Sequence, residues 1–186
     1  LVDKQKCVRN IRKMAAKAQT AAIRFRPHCK THASLEIGRW LEEEGAVNCI
    51  TVSSLTMAKY FAQGGAEGGT VEERRKASSV GNCSYCKDIT VAFPVNILEI
   101  DTINELITGT NPINLNLLVE NPEAVEFLQL HLRGTVGIYI KIDVGYGRTG
   151  IPAGDFDRVN ELIKLMKNSD KLQFRGLLTH AGHSYH

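Results

Sequence analysis

The chain alternates short apolar runs with stretches in which apolar residues recur every three or four positions, the pattern of strands joined by helical crossovers. Six runs, residues 23–29, 49–53, 88–93, 113–119, 136–144 and 172–179, predict internal strands, and Leu1-Val2 predicts the end of a seventh. Several are apolar on successive residues, as in 115–119 interrupted only by Asn116, which suits strands covered on both faces. Between them, helices are predicted over 4–18, 34–44, 55–63 and 97–107, several stopped by glycines such as Gly45 and Gly64. Asn121-Pro122-Glu123 before Ala124, Val125, Phe127 and Leu128 supplies a cap side chain, a proline at the first helical position and an early acid. A last stripe, Val159, Leu162, Ile163 and Met166, faces away from Glu161, Lys164 and Lys167 and predicts a surface helix packed on a sheet.

The fold class is therefore α/β with parallel strands. A closed eight-stranded barrel takes about 250 residues, so a 186-residue chain with six or seven units predicts most of such a barrel with its last part absent. A doubly wound sheet competes, but its glycine fingerprint G-x-G-x-x-G is missing from a first turn. The chain opens without Met at Leu1-Val2-Asp3 and stops in the polar run His183-Ser184-Tyr185-His186, so further sequence is expected on both sides. Residues 64–87 break the rhythm with Gly, Ser and charge and read as a surface insertion. Within it Cys83-x-x-Cys86 has half the spacing of a zinc site or that of a redox pair, but no further ligands lie nearby.

Composition narrows the partners. With 43% apolar and 23% charged residues the chain can bury one sizeable core. Its formal net charge of +3 is scattered, so no nucleic-acid footprint is expected. No run approaches the roughly 18–20 apolar residues of a membrane span, and no cleavable leader opens the chain. The cytoplasm is therefore the expected compartment, and five cysteines, an odd number at irregular spacing, argue for reduced thiols. A small metabolite is the expected partner.

Three polar clusters follow strand candidates, where parallel α/β proteins build their sites. The first is Arg24-Phe25-Arg26-Pro27-His28-Cys29-Lys30-Thr31-His32. A lysine desolvated there loses its proton and becomes a Schiff-base nucleophile; a solvated surface lysine is the bland alternative. His28 and His32 are four apart, but Pro27 puts His28 in extended backbone, which weakens a helical metal pair. The second is Lys141-Ile142-Asp143-Val144-Gly145-Tyr146-Gly147-Arg148-Thr149-Gly150. Its glycines let backbone approach a ligand, Arg148 offers a fork of donors, and Asp143 is a partner for a neighbouring cation; a glycine turn with no ligand is equally compatible. The third, from Leu178 through His180 and Gly182 to Ser184 and Tyr185, offers hydroxyls and a backbone amide to phosphate or substrate, or is an ordinary polar loop.

The run Arg26-Pro27-His28-Cys29-Lys30-Thr31-His32 resembles the R-P-H-x-K-T-H signature of the D-threonine aldolase and D-serine dehydratase family, fold-type III pyridoxal phosphate enzymes related to alanine racemase. The likeness continues in order through 88–94, Ile142-Asp143-Val144-Gly145 with Arg148-Thr149-Gly150, and 180–185. Ala33 stands where the family usually has a further lysine, and Leu178-Thr179 where relatives often carry a tyrosine. The resemblance implies an alanine racemase-type N-terminal barrel, incomplete here, with a C-terminal β domain absent from this chain. It implies pyridoxal 5′-phosphate joined as an internal aldimine to Lys30, Arg148 on the ring side, and His28, Asp143, His180 and Tyr185 as pocket residues. It also implies a divalent metal, Zn or Mn, held by residues beyond His186 and none within the chain. The activity implied is a lyase on D-β-hydroxy amino acids, in a homodimer. An amino-acid racemase and a non-catalytic pyridoxal phosphate-binding protein remain open as alternatives.

Overall fold

The computed structural model describes residues 2–64 and 87–185. The predicted insertion, with Cys83 and Cys86, lies outside the described residues except for its end positions Gly64 and Lys87. The chain divides into two compact units, Leu1–Thr90 and Val91–His186.

In the first unit, helix α1 (Lys4–Thr20) starts where the Asp3 side chain accepts from the Lys6 backbone N–H at 3.1 Å. Val2 is accordingly exposed coil and not the end of a strand, because the chain turns at once into a capped helix. Helix α2 (Leu35–Gly45) is capped by Ser34 and runs through Gly45 before Ala46 takes the left-handed conformation at φ 49°. Ile11 of α1 packs with Trp40, Leu41 and Val47, and Cys7, Val8, Phe25 and Ile37 flank this cluster. Each fully buried aliphatic side chain of this kind stabilises the fold by about 1.5–3 kcal/mol. An Arg12–Glu44 ion pair at 2.6 Å joins the same two helices at the surface. Strand β1 (Ile50–Val52) and helix α3 (Leu55–Ala62), capped by Ser54, follow.

The predicted strand 23–29 forms only as a parallel bridge between His28 and Thr51. Cys29 N–H donates to the Thr51 carbonyl and Thr51 N–H to the Pro27 carbonyl, both at 2.8 Å. Pro27 has no N–H of its own, so the ladder cannot extend backwards through it.

Strand β2 (Asp88–Pro94) crosses from the first unit into the second. A 3₁₀ turn (Ile97–Glu99), helix α4 (Ile100–Thr108), strand β3 (Asn114–Val119), helix α5 (Pro122–His131) and strand β4 (Val136–Asp143) follow. The chain continues through β5 (Ile151–Pro152), α6 (Phe156–Lys167), β6 (Leu172–Thr179) and a 3₁₀ turn (Gly182–Tyr185). Asn121 caps α5 by accepting from Ala124 N–H at 2.8 Å with Pro122 beside it, as the sequence predicts. In α6 the predicted stripe buries Leu162 and Met166, with Val159 and Ile163 half-buried.

Strand β4 organises this unit. It pairs in parallel with β3 from Asn116–Gly137 to Val119–Ile140, with β6 from Val136–Leu172 to Ile142–Thr179, and with β5 at Ile142–Ile151. Strand β4 ends at Asp143, one residue before the predicted limit, and the two-residue β5 at the end of the glycine loop was not predicted. Ile138, Ile140 and Ile142 are buried on one face of β4, and alternation puts Tyr139, Lys141 and Asp143 on the other. Among the described residues no helix is long and apolar enough to cross a membrane.

The cysteines provide a chemical probe of the first unit. Burial pushes the Cys29 thiol up to about 12, raises Cys49 as well, and leaves both fully buried, whereas Cys7 is half-buried. Native full-length protein treated with iodoacetamide near pH 8, with peptide mapping, is expected to label Cys7 well before Cys29 and Cys49. Denaturant should abolish the difference.

Candidate active site

In the first unit the candidate lysine, Lys30, is presented by a turn. The Thr51 bridge ends the extended segment, Cys29 is buried beneath it, and Lys30 follows at the surface. The His28 ring folds over this turn, and its Nδ1 accepts from the Lys30 backbone N–H at 3.3 Å. That bond assigns the ring hydrogen of a neutral His28 to Nε2. Nε2 of His32 is buried with no hydrogen-bond partner, and burial lowers the pKa of this imidazole. The expectation of a desolvated Lys30 is not met: the residue is exposed, because it follows the buried Cys29 by one position and emerges into the turn. An exposed primary amine at this turn, with a buried imidazole nitrogen lacking a partner two residues on, fits a polar aldehyde.

In the second unit the loop after β4 is built on Asp143. Its Oδ1 accepts from the backbone N–H groups of Gly145, Tyr146 and Gly147 at 3.0, 3.0 and 3.1 Å, and Oδ2 accepts from Gly147 at 3.0 Å. Gly145 and Gly147 adopt φ of 100° and 72°, which a side chain would oppose. The bond to Gly147, with those to Gly145 and Tyr146, holds the Asp143 carboxyl below the usual carboxylate range. This carboxylate shapes its own loop. The same loop ends with the Arg148 guanidinium 4.9 Å over the exposed Phe93 ring, a cation–π contact that gives the fork a platform.

Lys141 is only 4% exposed. Burial first, and then Arg148, lower its pKa, while Glu120 and Asp143 oppose the shift. Glu120 carries a buried Oε2 with no hydrogen-bond partner. Lys141 stands in the second polar cluster but was not among the predicted site residues. Its signal was a lysine between Ile140 and Ile142 in a strand that should be buried.

The loop after β6 meets the loop after β4. His180 lies edge-on to the Tyr146 ring with centroids 5.2 Å apart, and His183 lies 6.4 Å from the same ring. A Cβ on Gly182 would come within 2.7 Å of Tyr146 Cζ and 3.1 Å of His180 Nε2, so the ring can pack there only against a glycine. Ser184, whose hydroxyl is one of those the third cluster offers, donates it to the Ala181 carbonyl at 2.7 Å. Tyr185 closes the 3₁₀ turn. Of the predicted residues, the first unit thus brings His28 to Lys30, and the second gathers Asp143, Arg148 and His180 on neighbouring loops. Phe93 and Tyr146 were missed as contacts because their partners are distant in sequence. Among the described residues no group of three or more His, Cys, Asp or Glu is arranged to hold a metal ion.

Comparison with known proteins gives this geometry a context. The family described as alanine racemase, N-terminal domain, matches residues 2–186. The chain is similar to a D-serine dehydratase of Dictyostelium discoideum, 27% identical over 197 residues, covering 95% of this chain and 42% of the relative. It is similar to a 3-hydroxy-D-aspartate aldolase of Paracoccus denitrificans (strain Pd 1222), 24% identical over 187 residues, covering 100% of this chain and 43% of the relative. Among solved structures, D-threo-3-hydroxyaspartate dehydratase from Delftia sp. HT23 has the same fold, with a TM-score of 0.75 at 24% identity, covering 99% of this chain and 43% of that one. Alanine racemase of Clostridium difficile 630 follows with a TM-score of 0.59 at 17% identity, covering 92% and 40%. The predicted α/β fold is found, and the chain spans less than half the length of each of these relatives.

Two measurements check the loops. The Asp143 carboxyl has a depressed folded-state pKa, so its stabilisation of the loop is complete above the ordinary carboxylate range and is lost as the pH falls through the depressed value. In an NMR titration the Gly145, Tyr146 and Gly147 amide shifts are expected to move with a midpoint below that of an ordinary aspartate; a midpoint at or above it contradicts the assignment. Gly182→Ala is expected to cost about 1–3 kcal/mol by overpacking. In a Tyr146→Ala background, urea unfolding should recover most of that cost.

Proposed function

The chain belongs to the alanine racemase N-terminal domain family, and on that premise we propose that it carries the pyridoxal phosphate-binding lysine, Lys30, of a lyase acting on D-β-hydroxy amino acids. The observation that carries this reading is the Lys30 turn. An accessible amine follows a parallel strand pairing, its backbone is held by His28, and it stands in a heptad that resembles the signature of the aldolases and dehydratases. The named relatives, a D-serine dehydratase and 3-hydroxy-D-aspartate aldolase and dehydratase, support the same substrate class.

When bound, the cofactor supplies an electron sink for negative charge at the substrate α-carbon. Lys30 would hold it through its side-chain amine, and that amine when free would supply a base for proton transfer. His28 fixes the Lys30 backbone through Nδ1. Arg148, stacked on Phe93, supplies fixed donors to an anionic oxygen, and Asp143 holds the loop that carries Arg148. In this reading His180, which packs against Tyr146 of that loop, and Tyr185 are pocket residues. In dehydration a base takes the α-proton and the β-hydroxyl leaves as water; in aldol cleavage a base takes the β-hydroxyl proton and the Cα–Cβ bond breaks. In this reading a divalent metal, zinc or manganese, would be held by residues beyond His186 and would supply Lewis-acid chemistry. The reading also takes the full-length protein to be a cytoplasmic homodimer whose partner is a D-amino acid and neither nucleic acid nor membrane.

Borohydride reduction of the full-length protein incubated with pyridoxal phosphate is expected to fix cofactor mass on the peptide containing Lys30. Lys30→Ala should abolish it. Incubation with D-serine, D-threonine and 3-hydroxy-D-aspartate then separates the activities: glycine reports aldol cleavage, a 2-oxo acid reports dehydration, and inversion alone reports a racemase. Fixation with no turnover of any kind favours a binding protein, and absence of fixation on Lys30 overturns the proposal.

A further inference from the structure

We propose that Arg26 is a positioning residue for Lys30, lacing the extended segment that ends at the lysine turn onto β1 and the start of β2 through one guanidinium. The inference rests on the assignment of Lys30 as the cofactor lysine. Arg26 Nη1 donates to the Ile50 carbonyl at 3.1 Å and to the Asp88 carbonyl at 3.3 Å, and Nη2 donates to Asp88 Oδ1 at 2.9 Å. The side chains of Arg26 and Asp88 are 17% and 21% exposed, so the pair is largely shielded from water. Arg24 reaches the other carboxylate oxygen, Oδ2, at 2.9 Å and Asn48 at 3.2 Å, but its side chain is 58% exposed.

The need for such a device follows from Pro27. A parallel ladder is normally extended by successive backbone N–H groups, but Pro27 has none to give, and the bridge at Thr51 does not lengthen into a strand. Arg26, the residue just before the interruption, sends its fork to the carbonyl of Ile50, the residue just before Thr51. A planar guanidinium can serve two carbonyls and a carboxylate at once, which the single ammonium of a lysine cannot reproduce in the same geometry. The lysine turn is four residues further on, joined to this anchor through the Thr51 bonds of Pro27 and Cys29. Looseness at Arg26 is therefore transmitted to the backbone that aims Lys30.

The test uses full-length protein and compares Arg26→Lys, Asp88→Asn and Arg24→Gln with wild type by amide hydrogen exchange without cofactor, by thermal unfolding, and by the rate of borohydride-trapped fixation on Lys30. Arg26→Lys is expected to speed exchange at Cys29 and Thr51 by roughly tenfold or more, the scale of one lost hydrogen bond to a charged group. It should slow fixation on Lys30 while the core of α1 and α2 keeps its protection. Asp88→Asn keeps the shape and should show a weaker form of the same local effect, and Arg24→Gln should leave Cys29 and Thr51 near wild type. Unchanged exchange and fixation in Arg26→Lys overturn the proposal. So does a uniform loss of protection and melting temperature in both Arg26→Lys and Asp88→Asn, which would make the pair a general staple, and so does an equal effect of Arg24→Gln, which would make the charge on Asp88 the operative feature. If wild type fails to fix the cofactor on Lys30, the functional reading falls, while the exchange result still decides whether Arg26 holds this segment.

Discussion

Parallel hydrogen bonding is the constraint on which each unit depends. Strands running in one direction leave their sheet at one edge, so the loops that follow them emerge together. In the second unit β4 is paired in parallel with β3, β5 and β6, and this brings Glu120, the Asp143–Arg148 loop and the His180–Tyr185 turn to the same end. In the first unit a single parallel bridge at Thr51 does the same for the Lys30 turn and the segment after β1. The polar chemistry of the chain is concentrated at these ends, while the aliphatic face of β4 is buried.

The loops are then held by local interactions strong enough to keep glycine-rich backbone in one shape. Asp143 does this with a carboxylate facing three consecutive amides, an arrangement that needs no partner outside the loop. Tyr146 extends the order to the next loop by packing against the bare backbone of Gly182. Arg148 is carried on the same frame and steadied by Phe93. The buried Lys141 interacts electrostatically with Arg148, Glu120 and Asp143 in a setting where such interactions are weakly screened.

What could be foreseen and what could not divide along physical lines. Strands β3 and β4 announced themselves because buried parallel strands are apolar at successive positions, and the start of α5 did so because Asn121, Pro122 and Glu123 each satisfy a different requirement of a helix N-terminus. The segment 23–29 looked like the others, yet Pro27 denies it a ladder, and its place depends on a guanidinium whose acceptors, Ile50 and Asp88, are far along the chain. The Lys30 heptad and the glycine loop were legible as motifs. The desolvation of Lys30 was not a safe deduction, because one residue of phase separates the buried Cys29 from the exposed Lys30. Likewise Asp143 offered no sign in the sequence that its carboxylate would face its own loop, since that depends on the positive φ of Gly145 and Gly147.

The central claim is that Lys30 is where this scaffold takes hold of a vitamin B6 aldehyde. It is tested most directly by a crystal structure of the full-length protein grown with pyridoxal phosphate. The account predicts unbroken electron density from Lys30 Nζ to the aldehyde carbon of the cofactor. Density joining the cofactor to another lysine, such as the buried Lys141, or a Lys30 side chain extended into solvent beside a bound but unattached cofactor, would contradict it.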